Sequence, residues 1–381
     1  MTRIITGRSR KPGVSRAKVQ LNGVPKSRVL QFGNQKVKAN HLLPLQDSTD
    51  LFKIGDFDGL RSRLHSDGVI LVRGLIPQQT ALNARHLLLK TITDKGALAP
   101  GTDYRDGIIG CDDDGRYIPG FTVDALSGGL TDDRDDDVEG WLDVGTSQTM
   151  ADVFDGKALR SFLQMLFGGA DKFETLPDNT WLRLKGKGDV TIEHVDYYYF
   201  KRSTDMFEKY GQGNPVPVDI VSCPECKGPA KKGISLTCEL CHRDYHEKCV
   251  DETARPAKSN ATWHCQSCAD SPLHLYTCWT ALGHIDIPNS TLAFVSGSHN
   301  STGYDRPRRN EQLPKSLSKS LRWSVPFEPL DPGDMFIFNV KTVHCANKNT
   351  SGLFRASTDT RISLTPIGRQ SWPDLISKSQ L

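Results

Sequence analysis

VTIEHVDYYYF, residues 190–200, decides the fold. The run is rich in β-branched and aromatic residues, the composition of a strand on a half-buried pleated surface. Side chains alternate between faces along a strand, so His194 and Asp196 point the same way. Similar short runs surround it: TWLRLKG from Thr180, LYTCWTAL from Leu275, STLAFVS from Ser290, DMFIFNV from Asp334 and ASTDTRISLT from Ala356. Strand texture on both sides of residues 218–270 predicts one β domain that something else interrupts.

Upstream of Thr180 the pattern is helical. Phe57 to Ser66 has Leu60 and Leu64 at helical spacing, and Asp67-Gly68 makes a turn into the buried strand VILV, residues 69–72. Pro77 stands where a second helix begins, with Leu82, His86, Leu87 and Leu89 over Thr80 to Lys95. Ala158 to Phe167 reads as another helix, ended by Gly168-Gly169, and Thr131 to Glu139 reads as a charged, solvated loop. The expected fold class is mainly β with flanking helices.

The strand faces hold a set of metal-type residues. His344 closes a second strand-like run, DMFIFNVKTVH, and Arg355 follows 11 residues later. A His-x-Asp with a distant histidine suits the facial triad of non-haem Fe(II), which leaves the other metal positions open. His284-Ile285-Asp286 is a rival pair only 60 residues before His344. Arg361 competes with Arg355, since residues 355, 357, 359 and 361 share one strand face. Trp181, Arg183 and Lys185 share another face, which lines the same cavity or packs at the surface.

The interruption is a metal array of its own. It reads Cys223-x-x-Cys226, Cys238-x-x-Cys241, His246-x-x-Cys249 and Cys265-x-x-Cys268, with gaps of 11, 4 and 15 residues. Four such pairs supply two tetrahedral Zn(2+) sites. In a cross-brace, Cys223, Cys226, His246 and Cys249 share one ion, and Cys238, Cys241, Cys265 and Cys268 share the other. The segment is poor in apolar residues, so zinc binding is expected to drive its folding. The remaining cysteines, Cys111, Cys278 and Cys345, are scattered, which disfavours a disulfide framework.

Both arrays resemble known families. The order of four cysteines, one histidine and three cysteines resembles the PHD finger, a chromatin-reading module, over about residues 218–270. The flanking β region resembles the phytanoyl-CoA dioxygenase family of Fe(II)/2-oxoglutarate oxygenases. The matching residues are DGVILVRGLIP (67–77), His194-Val195-Asp196, Trp279-Thr280-Ala281-Leu282, Asn289 leading to Ser296-Gly297-Ser298-His299, Gly333-Asp334, His344 and Arg355. Two departures stand in the fourth of these: Ser290 replaces a glycine and Ser296 a proline. The resemblance covers 55–215 and 271–368. It implies a double-stranded β-helix, jelly-roll or cupin-like, interrupted by a small cross-brace zinc finger. It also implies iron on His194, Asp196 and His344, with 2-oxoglutarate as cosubstrate and Arg355 on its far carboxylate. Arg361 is a second candidate to contact cosubstrate or substrate. Related halogenases lack the carboxylate ligand, so Asp196 favours hydroxylation of a C–H bond. A catalytically silent chromatin adaptor is the alternative.

The other histidines and aromatics read as structural. His299 fixes a loop by hydrogen bonding, while His65, His86, His242 and His264 are structural or exposed; Tyr245 and Trp263 pack the finger. Two residues before His246, where many PHD fingers have a cage tryptophan for cation–π contact, stands Asp244. An acid there suits an unmodified lysine, so a histone tail or another basic peptide is the expected partner.

The chain has 381 residues and a net charge of +3, with ten basic and no acidic residues before Asp47, so the rest carries −7. Residues 1–46 therefore read as a basic, disordered arm for nuclear import or contact with nucleic acid, or as an organellar transit segment. No run of 18 apolar residues occurs, so no membrane partner is expected. A nuclear location follows from finger and arm together, with cytoplasmic or organellar placement as alternatives. The finger lies between the second iron ligand and the third, so its two attachment points are expected close together, near the mouth of the iron site.

Overall fold

Arg355–Leu364 is buried along its whole length, yet one of its faces is polar. Arg355, Ser357, Asp359 and Arg361 point one way, while Ala356, Ile362 and Leu364 on the other face enter apolar clusters. Burying such a polar face is costly unless its groups find partners. The sheets are built around that face.

The computed structural model describes residues 24–25, 27–125, 140–197, 223, 225–226, 228, 235–237, 244–250, 255, 274–300 and 321–378. The expected zinc ligands Cys238, Cys241, Cys265 and Cys268 lie outside the described residues, as do His242, Trp263, His264 and the charge run at 131–139. In chain order the elements begin with β1 (Val29–Phe32), β2 (Gln35–Lys38), β3 (Leu43–Pro44), α1 (Thr49–Lys53), α2 (Phe57–Asp67), β4 (Val69–Val72), α3 (Gln78–Thr91) and β5 (Phe121–Asp124). There follow α4 (Trp141–Gly145), α5 (Gln148–Phe154), α6 (Lys157–Phe167), β6 (Phe173–Lys185), β7 (Thr191–His194), β8 (Ser235–Thr237) and β9 (Asp244–His246). The last are β10 (Leu275–Ala281), β11 (Leu292–Phe294), β12 (Ser324–Val325), β13 (Met335–Asn339), β14 (His344–Ala346), β15 (Arg355–Leu364) and α7 (Pro366–Lys378).

Two sheets face each other. The larger has the order β4-β13-β10-β15-β6-β5 and the smaller β3-β12-β11-β14-β7. Their facing sides meet in a core of Trp279, Phe336 and Phe338 from the larger sheet and Leu292, Phe294 and Ala346 from the smaller. Helices cover the outer side of the larger sheet. There Leu60, Leu64, Phe162 and Leu166 pack on Ile70, Ile337 and Ile362, and Leu88, Trp141 and Val153 pack near Val123, Leu182 and Ala356. Strands β4–β7 precede the finger and β10–β15 follow it, yet they interleave in both sheets. The two sheets therefore draw strands from both sides of the cysteine-rich segment.

Helix α2 shows how local sequence sets the frame. Asp56 caps it by accepting from the Gly59 N–H at 2.8 Å, and it ends at Gly68 with φ +75. A Cβ at Gly68 would sit 2.3 Å from His299 Nδ1 and 2.6 Å from Thr342 Oγ1, so glycine serves both the turn and the close approach. His299 does hold a loop, with Nε2 2.9 Å from the His65 carbonyl.

The expected disordered arm is corrected over its second half. Residues 29–38 form a β-hairpin turned at Gly33-Asn34, a two-residue turn signal that the run of basic residues obscured. Leu30, Phe32 and Leu42 are buried with Ala293, Val325 and Cys345 on the outer side of the smaller sheet. That apolar contact outweighs the basic composition, and β3 pairs with β12 as the sheet's edge strand. Residues 1–23 lie outside the described residues.

Candidate metal centres

His194 ends β7, His344 begins β14, and the two are direct cross-strand partners. Their rings lie 4.2 Å apart, centroid to centroid. Asp196 follows on the same face, and one ligand atom from each of the three residues falls within 4.8 Å of the others. The backbone fixes both imidazoles. His194 Nδ1 is 2.7 Å from the Ile192 carbonyl, and His344 Nδ1 is 3.0 Å from the Thr342 carbonyl. A carbonyl only accepts, so each Nδ1 carries the proton and each Nε2 presents a lone pair, the usual dress of a metal-binding histidine. Those Nε2 atoms approach Asp196 Oδ1 at 3.4 and 3.6 Å.

The electrostatics fit a cation at that point. Burial, then His194, brings the His344 imidazole down to about 4, so it stays neutral and able to ligate. Burial by itself would raise the Asp196 carboxyl; Arg361 first, then His344 and His194, hold it well below the usual range. Its second oxygen is occupied: Thr277 donates to Oδ2 at 2.7 Å and Arg361 Nη2 lies 3.1 Å away. Oδ1 is thus left facing the histidines.

Arg361, the second candidate to contact cosubstrate or substrate, is engaged by carboxylates. Besides Asp196 it meets Asp359 at 2.7 Å, and Asp359 also takes Arg183 through both oxygens at 2.5 and 3.2 Å. Arg361 therefore bridges the Asp196 and Asp359 carboxylates. Thr277 and Asp359 were missed by the sequence reading. The Arg-x-Ser-x-Asp-x-Arg alternation on β15 was the available signal for Asp359.

Arg355 behaves differently. It is 1% exposed, donates Nη1–H to Ser357 Oγ and lies 5.3 Å over the Trp279 ring, while its Nε has no partner. Burial, then Arg183, lowers its guanidinium to about 9. It opens onto the same cleft as the triad, with Thr191, Thr277 and Leu292 among the walls and a volume of about 390 Å³ including the open mouth. A buried fork with an unmet N–H and no paired carboxylate among the described residues suits a ligand carboxylate.

The rival triad does not assemble. His284 is exposed and pairs with Asp331 at 3.2 Å, and Asp286 accepts from the Asn289 N–H at 2.9 Å. Ser290, where the resembled family has a glycine, adopts a backbone that glycine favours. It is the one non-glycine with positive φ, +70, among the described residues, and its hydroxyl donates to the Asn347 carbonyl at 2.6 Å.

Part of the chain matches a known family. Residues 189–357 match the family described as Phytanoyl-CoA dioxygenase (PhyH). The PhyH match spans both ends of the interruption and includes His194, Asp196, His344 and Arg355. No curated protein matches the chain. Similar solved structures include the epimerase SnoN in complex with Fe3+, alpha ketoglutarate and nogalamycin RO, at 15% identity and TM-score 0.43 over 81% of this chain and 84% of that one. Another is the non-heme alpha ketoglutarate dependent carbocyclase SnoK from nogalamycin biosynthesis, at 11% and 0.41 over 80% and 82%. A third is EctD from S. alaskensis with bound Fe, at 13% and 0.42 over 80% and 75%.

Half of the expected zinc array lies among the described residues, and it clusters. Cys223, Cys226, His246 and Cys249 bring their ligand atoms within 4.8 Å of one another. His246 Nδ1 is 3.2 Å from Cys226 Sγ and 3.9 Å from Cys249 Sγ. The Gly228 N–H, then His246, lowers the Cys226 thiol to about 7, whereas burial, then the neighbouring thiols, pushes Cys249 up to about 11. Thiols this close cannot all ionise unless a cation stands among them, which is the donor chemistry of zinc. Tyr245 is buried between these ligands, as its packing role requires.

Tyr197 and Leu275, which flank the cysteine-rich stretch in sequence, both bond to Val340. The Tyr197 N–H donates to the Val340 carbonyl at 2.9 Å, and the Val340 N–H donates to the Leu275 carbonyl at 3.3 Å. Tyr197 directly follows Asp196. The expected attachment points, at the ends of residues 218–270, lie outside the described residues. No helix among the described residues is long and apolar enough to cross a membrane.

Proposed function

We propose that the chain is an Fe(II)/2-oxoglutarate-dependent dioxygenase on a double-stranded β-helix, hydroxylating a C–H bond of its substrate. The observation that supports this most is the convergence of two histidines and one carboxylate near a buried arginine that no carboxylate pairs among the described residues. His194, Asp196 and His344 would hold the iron, which supplies oxygen activation coupled to decarboxylation of 2-oxoglutarate. The rest is the work of side chains. The Ile192 and Thr342 carbonyls fix the histidine tautomers, and Thr277 and Arg361 turn the Asp196 carboxylate. Arg355 anchors the far end of the cosubstrate, while Phe294 and Phe338, packed against His344, keep water from that flank. The assay is succinate release from 2-oxoglutarate with Fe(II). His194→Ala is expected to reduce it to background, and a wild-type chain that binds iron but never turns over would favour the silent adaptor.

The finger is proposed as a PHD-type module with two zinc ions that recognises a basic peptide, such as a histone tail, in the nucleus. The supporting observation is Asp244, which accepts from Thr237 at 2.6 Å beside the cysteine–histidine cluster. An acid offers a lysine ammonium a charge but no π face. Unmodified histone-tail peptides are expected to bind several-fold tighter than trimethyl-lysine ones by fluorescence anisotropy. Equal or reversed preference would remove this reading. The basic segment before Asp47 is proposed to contact nucleic acid, with affinity that falls as salt rises.

A further inference from the structure

The charges around the cleft can be matched across its walls. Arg361 and Arg183 are met by Asp196 and Asp359, two cations against two carboxylates. Two further cations remain at the other end of the same face. Arg355 and Lys185 are direct partners in the β15–β6 ladder, so their side chains leave the sheet side by side. Among the described residues no carboxylate pairs with either. Arg355 is almost fully buried and its Nε is unmet. Asp189, on the connection from β6 to β7, attracts both only at longer range, and its Oδ2 accepts from the Gly186 N–H at 2.8 Å. Like charges placed directly opposite in a sheet are destabilising. A like-charge pair of this kind, Arg355 buried and Lys185 half-buried, makes sense where an anion arrives.

We propose that Lys185 is the second cation of the cosubstrate anchor, closing with Arg355 on the far carboxylate of a 2-oxo dicarboxylate. This rests on the 2-oxoglutarate reading above. A dicarboxylate held at the metal by its 2-oxo acid end brings one free carboxylate, and two oxygens match two donors. Burial, then Arg355 and Arg183, brings the Lys185 ammonium down to about 7, against the opposite pull of Asp189 and the nearby Cys345. Anion entry therefore takes up a proton at Lys185 when the pH is above about 7, and affinity falls as pH rises through that range.

Calorimetry of the full chain, loaded with Fe(II) and free of oxygen, compares 2-oxoglutarate with 2-oxobutyrate, which lacks the far carboxylate. Lys185→Met is expected to weaken 2-oxoglutarate about 10–100-fold and leave 2-oxobutyrate within about 2-fold, with Lys185→Arg retaining most of the affinity. The buffer-dependent heat of proton uptake is expected to vanish in Lys185→Met. Its ligand-free melting temperature is expected at or above that of the wild type, because a like-charge contact is gone. Unchanged 2-oxoglutarate affinity, equal loss for both acids, or a melting point well below wild type would each overturn the proposal. A wild-type chain that holds iron but binds neither acid would overturn the 2-oxoglutarate reading itself.

Discussion

Arg355→Met is expected to melt at a higher temperature than the wild type when no ligand is present, and to bind 2-oxoglutarate about 10²–10³-fold more weakly. The two effects have one cause. Arg355 is buried to 1% exposure, faces Lys185 across the ladder, and meets no carboxylate among the described residues. A buried charge in that state opposes folding, and an apolar side chain of similar length removes the opposition. Methionine also preserves contact with the Trp279 ring, now 5.3 Å from the guanidinium carbon. Replacing buried ionic groups by well-packed apolar ones stabilises by about 1–4 kcal/mol, some 2–4 °C per kcal/mol for a domain of about 150–250 residues. The lost carboxylate contact costs about 3–4 kcal/mol, hence the fall in affinity. Differential scanning calorimetry and 2-oxoglutarate titration check both. A lowered melting temperature would mean that Arg355 holds the fold together instead of waiting for an anion.

Much of this site was legible because strand geometry is local. The period of two put His194 and Asp196 on one face and set Arg355 and Arg361 on another. What could not be read is which carboxylate each arginine meets. Arg361 takes Asp196 from β7 and Asp359 from its own strand, and Thr277 comes from β10 to the same carboxylate. Those neighbours are set by long-range pairing: β15 lies between β10 and β6, while β7 belongs to the facing sheet. The same limit explains the misread arm. Ten basic residues suggest solvation, but Leu30 and Phe32 alternate at the right step to cover Ala293 and Cys345 on a sheet formed some 250 residues later. Ser290 shows the reverse. A serine stands where the resembled family has glycine, yet its φ of +70 lies in the region glycine favours, with a buried hydroxyl-to-carbonyl bond beside it.

Arg361→Met, six residues along the same strand, is expected to do the opposite of Arg355→Met. Here both carboxylates remain after the cation is gone. Asp196 would keep only Thr277 on Oδ2, and Asp359 would keep only Arg183. Breaking a buried pair from one side costs about 3–5 kcal/mol, so the metal-free variant is expected to melt about 6–20 °C lower. The pH dependence has a definite sign. Asp196 and Asp359 both titrate below the ordinary carboxylate range, so their stabilisation is fully present above the unfolded value near 4 and is lost as pH falls through the lower folded values. In Arg361→Met that acid-sensitive component shrinks, and the gap in stability between variant and wild type narrows toward low pH. A divalent ion on His194, Asp196 and His344 replaces the missing positive charge at Asp196. Adding Mn(II) or Fe(II) should therefore raise the melting temperature of Arg361→Met by more than it raises the wild type. Were Arg361 instead the cosubstrate anchor, the variant would lose 2-oxoglutarate affinity, keep its metal-free stability, and show no enlarged response to metal.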